Sequence, residues 1–152
     1  SSGMPDLTGL SISDVATATN VTLAADTISV INYTGAAAAT MTLPAATAGT
    51  IVIYCQSKDT TGGTATLVFD AAGSDVWATG SVIESRGSSE VTFDTSAAGE
   101  TKLTFTPANA ATNLLTTGGQ IAFICYETGT WHIATKLAAE TTQVTGAFVF
   151  AA

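Results

Sequence analysis

Charge is what this chain has least of. Asp, Glu, Lys and Arg make up 11% of it, where an average globular protein carries about 25%. Only Lys58, Arg86, Lys102 and Lys136 are basic, and no two of them lie close in sequence. Neutralising phosphates takes a basic patch, so nucleic-acid binding is excluded and anionic membrane surfaces are disfavoured. The net charge of -8 comes from dispersed acids, which read as a solvated face that keeps the particle soluble and not as an acidic binding site. Cysteine is nearly absent too. Cys55 and Cys125 stand 70 positions apart, too few for a disulfide framework and without zinc spacing. Each sits within a strand pattern and reads as a buried free thiol in preference to a bridge. A Ser-His or Cys-His nucleophile would depend on the single histidine, His132, which alternates with Trp131 and reads as an ordinary strand residue. No apolar run approaches the ~20 residues that a membrane helix needs. The opening SSGMPDLTGL has neither the basic nor the apolar region of a secretory signal, so assembly in the cytoplasm is expected.

Ala, Thr, Gly and Ser take the places that charged residues leave. Long side chains lose rotamer entropy when covered, and a surface poor in them is buried against a partner at low cost. The composition therefore reads as a protein made to be packed. At 152 residues the chain has the length of one domain with a single core.

The most informative stretch is Gly118 to Leu137. Ile121, Phe123 and Cys125 share one face, and Ala122, Ile124 and Tyr126 share the other; Thr128 to Thr130 make a turn, and Trp131 to Leu137 return in alternation. This predicts a central hairpin with both faces covered. Further strands are predicted at Val21–Leu23 and Thr27–Tyr33, joined as a hairpin, and at Thr40–Leu43, which Pro44 ends. Ile51–Cys55 with Thr64–Phe69 returning, Ser81–Glu84, Glu90–Asp94, Thr101–Thr106 and Gln143–Phe150 follow. Asp70–Gly80 reads as a loop carrying Trp77, and Pro107–Thr117 as a connection with one helical turn. About ten short strands with Gly-bearing turns point to an all-β fold: a single-domain antiparallel β-sandwich, jelly-roll-like, over residues 20–152. A β-solenoid would show a strict repeat, and the TLP and TFTP segments are too short to make one. Residues 1–19 read as an extended N-terminal arm. Its apolar pegs Met4, Leu7, Leu10 and Ile12, with Phe148 and Phe150 in the greasy tail, are the candidate contacts, either to the chain's own domain or to a neighbour.

Reactive constellations are missing from this pattern. Asp70 and Asp75 flank a Gly-containing loop, but without the EF-hand spacing they read as turn residues and not as calcium ligands. No pair among the twelve acids is singled out for glycoside hydrolysis. Trp77, Trp131, Tyr54 and Tyr126 have the chemistry of a sugar-stacking surface, yet all lie in or beside apolar runs and read as core or interface. Gly62 and Gly118 begin turns and not phosphate loops. No catalytic, cofactor-binding or metal residue is assigned, and no small-molecule substrate is expected.

The segments ATMTLPAATAGTIVIYC (39–55), TKLTFTPANAATNLLTTGGQIAFICYETGTWHIATKLA (101–138) and VTGAFVF (144–150) resemble structural proteins of marine and cyanobacterial tailed phages. Within that group the chain is most similar to small capsid decoration (cement) proteins. The resemblance implies a β-rich domain that trimerises on the outer capsid surface and clamps adjacent major capsid proteins, so the implied partners are the major capsid protein and further copies of itself. It carries no catalytic residues over. The competing expectation is a tail-fibre or receptor-binding module that takes glycans, with the aromatics of the Asp70–Gly80 loop as its contact site.

Overall fold

Period-2 alternation runs through nearly every apolar segment of this sequence, and among the described residues such segments form strands in the folded chain. The computed structural model describes residues 11–13, 19–60, 63–86, 91–107, 115–136 and 147–152. Among them there is no helix. In order come β1 (Ser11–Ile12), β2 (Asn20–Thr22), β3 (Thr27–Ile31), β4 (Ala39–Thr42), β5 (Ile51–Gln56), β6 (Leu67–Asp70) and β7 (Val76–Trp77). β8 (Val82–Arg86), β9 (Val91–Thr95), β10 (Lys102–Phe105), β11 (Gln120–Glu127), β12 (Thr130–Lys136) and β13 (Phe148–Ala151) complete the set. Six strands form one sheet in the order β1-β3-β5-β11-β12-β7, five form a second in the order β13-β10-β6-β4-β2, and β8 pairs with β9 alone. The chain is the all-β sandwich that the alternation predicts.

Its strand pairing differs from the antiparallel, jelly-roll-like expectation. β2 and β3 do not form a hairpin, and β6 does not return along β5. Instead β1 to β6 alternate between the two sheets, and within each sheet they lie parallel: β1 to β3 and β3 to β5 in one, β2 to β4 and β4 to β6 in the other. The first half of the chain is thus wound as a flattened coil. The physical reason lies at the corners, as at Ala24–Asp26. Leu23 is buried there, Asp26 takes φ 53°, its N–H donates to Ile51 O (2.6 Å) and its Oδ1 accepts the Ile51 N–H (3.2 Å). These contacts turn the backbone across to the opposite sheet and not back along the same one. The central hairpin β11–β12 forms as expected, with Gln120 opposite Lys136, a β-bulge between Ile124 and Glu127, and Gly129 at φ 90° in the turn.

Inward residues of both sheets make one core. Tyr54 on β5 meets Phe69 on β6 edge-on at 5.0 Å between ring centroids, Phe69 meets Phe123 on β11 at 5.3 Å, and Phe123 meets Trp77 at 5.7 Å. Trp77 in turn meets Phe150 at 6.3 Å. Trp77 is therefore not in a loop: Val76–Trp77 pairs with Thr130–Trp131 in parallel. Phe148 and Phe150 also correct the sequence reading. Both are 5% exposed, and Phe148 packs on Phe105 at 4.9 Å. Strand β13 pairs antiparallel with β10, so alternation turns these two rings into the chain's own core and leaves Val149 and Ala151 outside. They are not available to a neighbour. Of the expected arm, residues 11–13 lie on the chain's own sheet: Ser11 and Ile12 pair with Thr27 and Ile28. Met4, Leu7 and Leu10 lie outside the described residues, as do most of the Pro107–Thr117 connection and the first part of the predicted last strand.

A buried polar network fixes one end of the six-stranded sheet. Gln56 is fully buried; its Oε1 accepts the Tyr54 hydroxyl (2.6 Å), and its Nε2 donates to Tyr33 O (2.7 Å) and Lys58 O (2.6 Å). The Tyr33 hydroxyl donates to Ala65 O. Every side-chain polar atom of Gln56 is satisfied, which is what makes its burial tolerable. Tyr54→Phe is expected to leave Oε1 buried without its donor and to lower stability by about 1–3 kcal/mol, read as a lower midpoint in urea. Burial also raises the Tyr33 hydroxyl from its ordinary 10.0 to about 12, and raises Tyr54 through burial first and then its neighbours Tyr33 and Cys55. A raised folded-state value means that the neutral phenol is favoured in the fold, so the stability it contributes is intact below pH 10 and lost as pH climbs towards 12. The urea midpoint is expected to fall across that window, with a smaller fall in Tyr33→Phe.

Candidate functional site

Each sheet has a second face that points away from the core, and the two outer faces differ in kind. On the five-stranded sheet the outward rows are Asn20, Thr40, Val68, Thr104 and Val149, and next to them Thr22, Thr42, Asp70, Lys102 and Ala151. Hydroxyls, an amide and an acid facing a base in register make an ordinary solvated surface.

The six-stranded sheet presents the opposite. Its central outward row runs Ile12, Ile28, Ile53, Ala122 and Ala134 across five neighbouring strands. Val30, Cys55 and Gln120 flank that row on one side, and Ile51, Ile124 and His132 on the other. The central row carries no charge; charged residues enter only at its margins, where Lys136 continues the row of Gln120 and Asp26 stands beside Ile51. β5 and β11 carry apolar residues on both faces, the pattern of a covered strand, whereas β3 turns Ile28 and Val30 outward and buries Thr27 and Ser29. At the rim the Tyr126 ring is 69% exposed and stands edge-on to the His132 ring at 4.7 Å between centroids. Ile12, the one predicted contact residue that is both described and outward, is 73% exposed on the first strand of this face. From strand spacing and rise, the face covers roughly 400 Å², within the 300–600 Å² that marks the largest apolar patch of a typical monomer.

Sequence reasoning saw the two-sided apolarity of the central hairpin and expected both sides covered. It did not see the patch, because Ile12, Ile28 and Ile53 are far apart in the chain and become neighbours only through the parallel pairing of β1, β3 and β5. The other residues singled out by chemistry have structural places. Trp77, Trp131 and Tyr54 are buried, so among the four aromatics only Tyr126 offers a ring to solvent. Among the described residues the Trp77 and Trp131 indole N–H groups have no acceptor, and packing supports their burial. Asp75 Oδ2 accepts the Ala46 N–H (2.7 Å), while Asp70 stands opposite Lys102. Among the described residues no group of three His, Cys, Asp or Glu could hold a metal ion. Cys55 and Cys125 are free; Cys125 is buried inward and Cys55 is half-buried on the outer face, so a pair on opposite sides of neighbouring strands has no route to a bridge. That corrects the reading of Cys55 as a core thiol.

A cleft of about 330 Å³ opens at one end of the sandwich, lined by Thr19, Asn20, Asn32, Tyr33, Thr34, Ala37 and Ala39. It carries hydroxyls and carboxamides and no charged group. Its chemistry suits a neutral, hydrogen-bonding ligand. No protein-family model matches this chain, and no curated protein or solved structure was found that matches it.

Proposed function

We propose that this chain is a structural protein of a tailed-phage virion: a capsid decoration (cement) protein that sits on the outer head surface as a homotrimer and bridges adjacent major capsid proteins. It is not an enzyme in this reading. It acts by laying surface against surface, and it needs no cofactor. The observation that carries the reading is the apolar outer face of the six-stranded sheet, whose central row of Ile12, Ile28, Ile53, Ala122 and Ala134 bears no charge, on a chain whose remaining surface is poor in long charged side chains. Such a surface loses little entropy and little ion solvation when a neighbour covers it. A shell holding packaged DNA gains from many identical weak contacts, each reinforced by its neighbours through the linked lattice. The similarity of residues 39–55, 101–138 and 144–150 to phage structural proteins supplies the setting.

A tail-fibre or receptor-binding module is the second reading, and the neutral cleft at Asn20, Asn32 and Thr34 is the observation in its favour. Against it stands the burial of the aromatic rings that a sugar platform would use. Copy number separates the two. Peptide mass spectrometry of virions that carry the chain, calibrated against their major capsid protein, is expected to find the two proteins in amounts of the same order. A handful of copies per virion would overturn the capsid reading and favour the tail module.

A further inference from the structure

We infer that the outer face of the six-stranded sheet is where copies of this chain meet one another. This deepens the homotrimer reading above and rests on it only for the number of copies. Charge points to identical partners here. With twelve acids against four bases, most surfaces of one copy repel the same surfaces of another, whereas the central row through Ile53 carries neither acid nor base, and charge enters only at the margins with Asp26 beside Ile51 and Lys136 beside Gln120.

Shape points the same way. In the central row the β1, β3 and β5 half is bulky, with Ile12, Ile28 and Ile53, and the β11 and β12 half is shallow, with Ala122 and Ala134. Rotate the face about an axis parallel to its strands, and the isoleucines of one copy stand over the alanines of the next. The face is its own complement. A twofold axis brings both halves together at once. Two such faces, Ile12 included, remove roughly 800 Å² from water; the Tyr126 ring at the rim adds to this, and the total is that of a small, reversible contact below the ~1,200 Å² of standard interfaces. Tyr126, held edge-on by His132, is an aromatic anchor of the kind that dominates contact energies.

Sedimentation velocity on the full chain tests this, with thermal unfolding run alongside to show that each variant is folded. The wild type is expected as an oligomer. Ala122→Phe fills the hollow that a partner's isoleucine needs, and Ile53→Lys sets a charge at the centre of the face. Each should raise the dissociation constant at least about 30-fold, the effect of losing one central anchor. Ala122→Phe adds bulk only outward and keeps the test decisive if Ile53→Lys does not fold. Thr40→Lys, on the outer face of the other sheet, should leave association unchanged. A monomeric wild type, an oligomer that survives Ala122→Phe, or equal loss in Thr40→Lys would overturn the inference. A dimer broken by the face variants would uphold it and count against the trimer; a folded monomer still arrayed on virions would sink it and leave the capsid reading standing.

Discussion

The structure depends on one continuous contact between its two layers: the run of rings from Tyr54 through Phe69, Phe123 and Trp77 to Phe150. Tyr54, Phe123 and Trp77 come from the six-stranded sheet, and Phe69 and Phe150 from the other, so the rings interleave and set the spacing between sheets near the ~10 Å of face-to-face packing. Because strands alternate with period 2, fixing these rings inward fixes every outward residue as well. A one-residue slip of β5 would put Tyr54 in water and Ile53 in the core, and the ring contacts on both sides would be lost together.

Alternation was therefore the legible part of the fold. Residue types at every second position announce the strands, and they place Phe123, Trp131 and Leu103 correctly inside. Pairing was illegible for a definite reason. In the coiled half the register offsets differ from turn to turn: Ser11 lies beside Thr27, Asn20 beside Thr40, Thr27 beside Val52, and Ala39 beside Leu67. With turns of 16, 20, 25 and 28 residues the winding leaves no repeat in the sequence, and adjacent strands joined by short turns read as hairpins. The tail misled in a different way. An apolar end such as Phe148 and Phe150 reads equally as a peg for a neighbour or as a strand of the chain's own sheet, and only the free edge of β10 decides between them. The Gln56 network was invisible, since nothing in YCQ announces that the amide will be shared by Tyr54, Tyr33 and Lys58.

The two outer faces show how the same backbone rule yields two surfaces. Threonine satisfies both strand propensity and water, so a sheet face rich in it needs no cover. Isoleucine meets the first demand and fails the second. The placing of isoleucine on one side of the sandwich and threonine on the other divides the molecule into a wet side and a dry side. Its many alanines, glycines and threonines keep that division smooth.

An apolar sheet face raises the question of why the chain is not a seed for fibrils. Growth by strand addition needs a long, straight, unpaired border, and both borders of the coiled half are clipped: β1 is two residues long and β2 three. The third border, β13, is interrupted where Asp94 accepts the Phe150 N–H at 2.8 Å. Among the described residues these three borders are short or occupied, so stickiness lies on a flat side and contact spreads from face to face more readily than by strand addition.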